Sequence, residues 1–288
     1  MLQFEYVKFN TLGDTCQFLA QHAESAKILA GGTDLLVQIR EKSRKVQELQ
    51  YVVDINGLSG LKGIKEESGI VTIGALTTHA EVAGSPIIAQ TAPLLAKACS
   101  LVGGPQTRNL GTIGGNICNA SLSADSVTAL VTLDAVLTIV GINGSRQLPI
   151  AEVFVKSEKN TLQPGEILTA VSFAALEPGT PNDFTKLGRR KALAIARMNV
   201  GVILELEENK VTSAKIGVGA SFPTTRRVNS AEAVLIGQEP TAVVIAAAAS
   251  EVSRAMIEIT GVRWSTEYKE PVLQVLVRRT IEQALGVE

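Results

Sequence analysis

Aromatic side chains are scarce in this 288-residue chain: seven Phe, three Tyr and one Trp make up 4% of it, against 45% hydrophobic residues in all. Its cores are therefore expected to be aliphatic. Histidine is scarcer still, with only His22 and His79, which leaves little material for a histidine metal site or a Ser-His-Asp triad. His22 falls at the end of a polar helix face and is expected to be solvated; His79 follows two threonines at a helix start and is expected to cap or pack. The three cysteines, Cys16, Cys99 and Cys118, are odd in number and far apart. They argue against a disulfide framework and against CxxC-type zinc or iron–sulfur ligation within the chain, so no metal site is expected.

Charge of one sign is also missing. A net charge of −1 leaves no basic field to attract nucleic acid or an anionic membrane, and nucleic acid is not an expected partner. No apolar run approaches the roughly 18 residues of a membrane helix. The first residues, MLQFEYVKFN, lack the basic flank and apolar stretch of a signal peptide. A cytoplasmic protein without a membrane span is the expectation. Neither GxxxxGK[ST] nor a GxGxxG after the first strand is present, which removes a P-loop and leaves a Rossmann dinucleotide site unsupported.

What the chain has instead is glycine beside hydroxyl and amide side chains in two places, Gly31-Gly32-Thr33-Asp34 and Gly103 to Asp125. The first lies between a short apolar strand, Lys27 to Ala30, and a helix supported by Leu35, Leu36 and Ile39. A strand, double glycine and helix in that order make an anion cradle, because free N–H groups and the positive end of the helix dipole converge there. The other reading is an ordinary turn capped by Thr33 or Asp34. In the second stretch Thr112 and Asn116 can supply side-chain hydrogen bonds. Asp125 suits a sugar hydroxyl rather than a phosphate, or else caps the helix that follows.

Around these stretches a helix is expected from Asn10, a strand over Tyr51 to Ile55 and short strands near Leu61 to Ile64 and Ile70 to Ile73. Ser85-Pro86 opens one helix with Ile87, Leu94, Leu95 and Ala98 buried, and Val127 to Leu133 forms another. Strands follow at Val136 to Val140 and Ile167 to Phe173. Pro178 to Pro181 interrupts every periodic pattern and is the expected domain boundary. Beyond it come strands near Phe184 to Leu187, Val200 to Leu206 and Val211 to Val218. Helices near Ser230 to Leu235, Thr241 to Glu258 and Glu267 to Leu285 complete the chain. Strands followed by helices point to a separate α+β domain.

The segments ILAGGTDLL (28–36) and GTIGGNICNASLSAD (111–125) resemble the two FAD-binding loops of the flavoprotein, or medium, subunit of the molybdenum hydroxylases, the xanthine dehydrogenase and carbon monoxide dehydrogenase family. The likeness continues through TIGALTTHAEV (72–82), GEILTAVSF (165–173), KLGRRKALAIA (186–196) and VRWSTEYKEPVLQVLVRR (262–279). It implies an α+β chain: a PCMH-like FAD-binding domain over 1–177, in subdomains of about 1–56 and 57–177, then a C-terminal domain over 178–288 with a three-stranded antiparallel sheet and a helical bundle.

The resemblance assigns cofactor-binding positions as well. Ile28, Leu29, Ala30, Gly31, Gly32, Thr33, Asp34 and Leu35 match the diphosphate cradle; Thr112, Gly114, Gly115 and Asn116 match contacts to diphosphate and ribityl. Asp125 matches the acidic flavin contact, Leu168 a position at the edge of the isoalloxazine, and Lys186 a lysine near the ring. The implied role is electron transfer through FAD from [2Fe–2S] clusters to an acceptor such as NAD. A small [2Fe–2S] subunit and a large molybdopterin subunit are the implied partners, in a dimer of heterotrimers. Two rival readings keep the fold: a stand-alone FAD-dependent oxidase, and a non-catalytic assembly or scaffold protein. Trp264 stands where the family pattern suggests a small residue and is assigned to core packing.

Overall fold

The computed structural model describes residues 3–190 and 192–287. The chain opens with β1 (Glu5–Lys8), α1 (Leu12–Gln21), β2 (Ala26–Leu29), α2 (Leu35–Arg40) and β3 (Tyr51–Asp54). The strands pair in parallel in the order β1-β3-β2. Thr11 caps α1 by accepting from the Asp14 N–H, and Cys16 and Leu19 on the inner face of α1 are buried. His22 departs from expectation. It is half-buried, and its ring lies 4.4 Å from that of Phe18 and 4.5 Å from that of Tyr51. An imidazole without a charged partner packs there as a flat apolar plate.

The middle of the chain supplies β4 (Ile64–Glu67), β5 (Ile70–Gly74), α3 (His79–Ala83), α4 (Pro86–Thr91), α5 (Pro93–Ser100), α6 (Pro105–Leu110), α7 (Ile113–Asn119) and α8 (Asp125–Thr132). Then come β6 (Val136–Gly141), β7 (Gly144–Pro149), α9 (Ile150–Val153), the small hairpin β8 (Phe154–Lys156) and β9 (Lys159–Asn160), and β10 (Ile167–Ala174). Five strands form an antiparallel sheet in the order β4-β5-β10-β6-β7, over which the helices bury the largest aliphatic core.

Two sequence expectations change here. The single helix expected from Ser85 is broken into α4 and α5, because Pro93 drives Ala92 out of the helical region to φ −158°. The N–H of Leu94 is instead satisfied from outside, donating to Asn182 Oδ1 at 2.9 Å. The glycine-rich stretch is not an open loop; it is folded into α6, α7 and the start of α8.

The remaining elements are β11 (Asn182–Gly188), β12 (Ala196–Glu207), β13 (Lys210–Gly219), β14 (Arg226–Arg227), α10 (Asn229–Leu235), α11 (Ala242–Thr260) and α12 (Thr266–Ala284). The sheet is antiparallel in the order β11-β12-β13-β14, the expected three strands plus a two-residue fourth. α10 to α12 share a second aliphatic core with one face of it. Trp264 is not in that core: it is 96% exposed in the turn between α11 and α12.

The other face of this sheet receives α8, all eight of whose residues are buried; its polar Asp125, Thr128 and Thr132 are paired by hydrogen bonds instead of facing water. Close approach is made possible by Gly217, where a Cβ would stand 2.1 Å from Thr132 Oγ1. That contact seats the end of α8 on the C-terminal strands.

Candidate functional site

A cavity of about 790 Å³ lies where the first parallel unit, the helices α6 to α8 and the C-terminal strands come together. Of the fifteen residues expected at a site, all but Leu29 and Gly32 line it. Leu29 packs the other way, against Val46, Leu49 and Val52.

The first wall is the turn from β2 into α2. Asp34 occupies the N-cap position of α2, but its side chain makes no capping bond; Oδ1 accepts from Asn119 Nδ2 at 3.1 Å. Among the described residues, the N–H groups of Gly32, Thr33, Asp34 and Leu35 donate to no protein acceptor. Four adjacent unpaired donors beside a cavity suit an anion.

The second wall is the start of α7. Thr112 caps it, accepting from the Gly115 N–H at 3.1 Å, while Ile113 N–H donates to Thr77 O at 2.9 Å and Gly114 N–H to Ala75 O at 2.8 Å. These bonds pin the helix onto residues 75–78 and consume its leading donors. The second wall is left with the Thr112 N–H and with side chains. Asn116 Oδ1 accepts from Ser126 Oγ at 2.7 Å, which leaves its amide N–H groups for a ligand.

The third wall is electrostatic. Asp125 and Lys186 form an ion pair at 2.5 Å, with both side chains almost wholly buried. Asn199 of β12 donates to the other carboxylate oxygen at 2.8 Å and accepts from Thr128 Oγ1 at 2.9 Å. Burial raises Asp125 above the ordinary carboxylate value, outweighing the opposing pull of Lys186 and Asn199. Its carboxylate makes no capping bond for α8. Lys186 also donates to Leu101 O at 2.9 Å, so it is held from two elements rather than solvated.

Leu168 is buried in β10 beside a bulge and presents an apolar surface to the cavity. Val102, Leu193 and Ile195 extend that apolar lining. Sequence reasoning did not single out these three, although Leu193 and Ile195 fall inside the KLGRRKALAIA segment. Cys118 also lines the cavity, and burial pushes its thiol up to about 12, which disfavours the thiolate at neutral pH. No cluster of His, Cys, Asp and Glu able to hold a metal occurs among the described residues.

Unpaired backbone donors, amide and hydroxyl groups and an apolar end together suit an extended ligand with an anionic part. A family model described as FAD binding domain in molybdopterin dehydrogenase matches residues 2–174, and one described as CO dehydrogenase flavoprotein C-terminal domain matches residues 183–284. The chain is 31% identical over 282 residues to the 6-hydroxypseudooxynicotine dehydrogenase complex subunit alpha of Paenarthrobacter nicotinovorans, covering 98% of this chain and 94% of that one. It is 31% identical over 284 residues to the nicotinate dehydrogenase FAD-subunit of Eubacterium barkeri, covering 97% and 95%. Its fold matches a chain of carbon monoxide dehydrogenase from Hydrogenophaga pseudoflava, in a structure lacking the Mo-pyranopterin moiety, with a TM-score of 0.92 at 30% identity over 99% of this chain and 98% of the other.

The chain belongs to the medium, FAD-binding subunits of the molybdenum hydroxylases, and FAD is its cofactor. No described helix is long and apolar enough to cross a membrane.

Proposed function

We propose that this chain carries electrons in a xanthine dehydrogenase-like complex, from [2Fe–2S] clusters on a small partner subunit through FAD to an acceptor such as NAD. The observation that carries this reading is the row of unpaired N–H groups at Gly32 to Leu35, of which Thr33, Asp34 and Leu35 line the same cavity as Thr112 and Asn116. FAD, when bound, supplies a centre that exchanges electrons one or two at a time. The chain's own residues do the rest. Gly32 to Leu35 hold the diphosphate, and Thr112 and Asn116 hydrogen-bond the diphosphate and ribityl chain. Asp125, fixed by Lys186 and Asn199, meets the flavin, while Leu168, Val102, Leu193 and Ile195 keep water from the ring.

Three cysteines, with Cys16 and Cys99 buried, cannot ligate a cluster of this kind. That supports a separate small [2Fe–2S] subunit and a large molybdopterin subunit that selects the substrate, in a cytoplasmic dimer of heterotrimers. The cofactor is assigned to a domain over 1–177, with subdomains 1–56 and 57–177, and the C-terminal domain to 178–288. Purified under native conditions, the protein is expected to carry flavin at close to one per chain, reducible by the electron donor of its complex. A protein that neither retains nor takes up FAD rules the proposal out.

A further inference from the structure

The cavity continues past the cradle at 32–35. Gln38, Lys45 and Glu158 also line it, with Leu162 between them and β10. Gln38 lies about one helical turn beyond Leu35 on α2. Lys45 belongs to the short turn Arg44–Val46 that follows, anchored by the buried Val46. Glu158 stands in the two-residue turn between β8 and β9. Its N–H donates to Ala120 O at 2.8 Å, and the preceding residue, Asn119, donates to Asp34. Two consecutive residues at the end of α7 thus tie the Glu158 turn to the cradle.

Lys45 Nζ lies 2.8 Å from Glu158 Oε2 and joins the first parallel unit to the hairpin. The Glu158 side chain is 55% exposed, so a ligand in the cavity can reach it, and the pairing through Oε2 leaves Oε1 for such a ligand. So open an ion pair contributes little to stability. The turn also holds Glu158 at φ 60°, where glycine or asparagine is the easier residue. Neither the pair nor the backbone accounts for a glutamate here; the cavity does.

We propose that Glu158, held by Lys45, is a cofactor-binding residue that accepts hydrogen bonds from the ribose hydroxyls in the adenosine half of FAD. This rests on the flavin reading above, which gives the ring to Asp125, Lys186 and Leu168 and the diphosphate to Gly32 to Leu35. The adenosine is the half that remains, and α2 leads from the cradle toward Gln38, Lys45 and Glu158. A ribose diol offers two O–H donors, which a carboxylate accepts. Lys45 offsets the repulsion that a lone carboxylate would exert on the diphosphate.

The experiment measures the affinity of flavin-free wild type, Glu158→Ala, Glu158→Gln and Lys45→Met for ADP and for 2′,3′-dideoxy-ADP, with FAD titrated separately. Wild type is expected to prefer ADP by about tenfold. Glu158→Ala should bring ADP down to the level of the dideoxy analogue and leave the analogue unchanged. Glu158→Gln, which keeps an acceptor oxygen, should retain part of the preference. Lys45→Met should weaken both nucleotides alike, because it removes charge and not the acceptor.

A wild type that does not distinguish the two nucleotides, whether it binds both equally or neither, overturns the proposal. So does a Glu158→Ala protein that keeps the preference, or one that loses both nucleotides to the same degree, as a merely structural glutamate would. A wild type that binds no FAD overturns the flavin reading itself, an outcome distinct from a wild type that binds FAD and ignores the ribose hydroxyls.

Discussion

A Cβ placed on Gly31 would stand 1.9 Å from the carbonyl oxygen of Leu110 and 2.6 Å from its carbonyl carbon. The turn after β2 and the end of α6 thus meet backbone to backbone, and only glycine permits it. This contact sets the separation of the two walls that face each other across the cavity. Gly31→Ala must push them apart, at a cost to stability of about 1–3 kcal/mol. The larger effect is expected on the cofactor, with the flavin-to-protein ratio falling close to zero while the far-ultraviolet spectrum is unchanged. Full flavin occupancy in Gly31→Ala would show that the contact does not shape the site.

Lys186 is the cationic partner of a buried carboxylate, so its loss should be far costlier than that of a surface lysine. Lys186→Met leaves the buried Asp125 without its cationic partner and is expected to destabilise the protein by about 3–5 kcal/mol. Adding Asp125→Asn should restore most of that. Denaturant unfolding of the two single variants and the double variant forms the cycle; additive losses would contradict the pairing.

Gly217 makes room for Thr132 on α8, and the obstructing atom is a hydroxyl oxygen. Gly217→Ala alone is expected to cost about 1–3 kcal/mol by overpacking. Thr132→Ala removes the obstruction, so the double variant should be more stable than Gly217→Ala. If it is not, the helix is excluded by some other contact.

His79 also predicts a pH dependence. Burial, with the charge of Arg108, holds its folded value at about 4, below the ordinary 6.5, so between these values the unfolded chain binds the proton first. The flavin-free protein therefore has the full contribution above about pH 6.5 and loses it as pH falls toward 4, roughly 3 kcal/mol in all. In His79→Leu that part of the slope should vanish. Unfolding free energies measured across the window test this, and identical slopes in the two proteins would mean that the imidazole is not held neutral.

Both glycine-bearing segments were legible in the sequence, because a cluster of Gly, Thr and Asn after a strand or before a helix has few uses that are not turns or ligands. Most elements were legible too, since a period of two or 3.6 residues is written along the chain itself. The break at Ala92 was readable in principle, from the proline after it. The exposure of Trp264 was not, because only packing decides which side of a helical turn is covered.

The allocation of donors shows the same division. Thr112-Ile113-Gly114-Gly115 reads as a phosphate loop, yet its leading N–H groups are consumed by Thr77, Ala75 and Thr112 itself. The bonds to Thr77 and Ala75 come from a segment more than thirty positions away in the chain, which local pattern does not report. The unpaired donors at Gly32 to Leu35 stay unpaired because Asp34, the natural cap, turns instead to Asn119, 85 residues on.

By itself, then, the sequence determined the aliphatic cores, the order of strands and helices and the two glycine-bearing segments, which follow from local composition and periodicity, while the family followed from the resemblance of its motifs. Tertiary structure alone decided what those segments face: that Asp125 pairs with Lys186 and Asn199 from another sheet, that Gly31 touches Leu110, and that His79 is buried with a free nitrogen at their junction. The reason is physical. Burial and electrostatic pairing depend on which distant surfaces the folded chain brings within a few ångströms, and no periodicity along one segment records its neighbours in space.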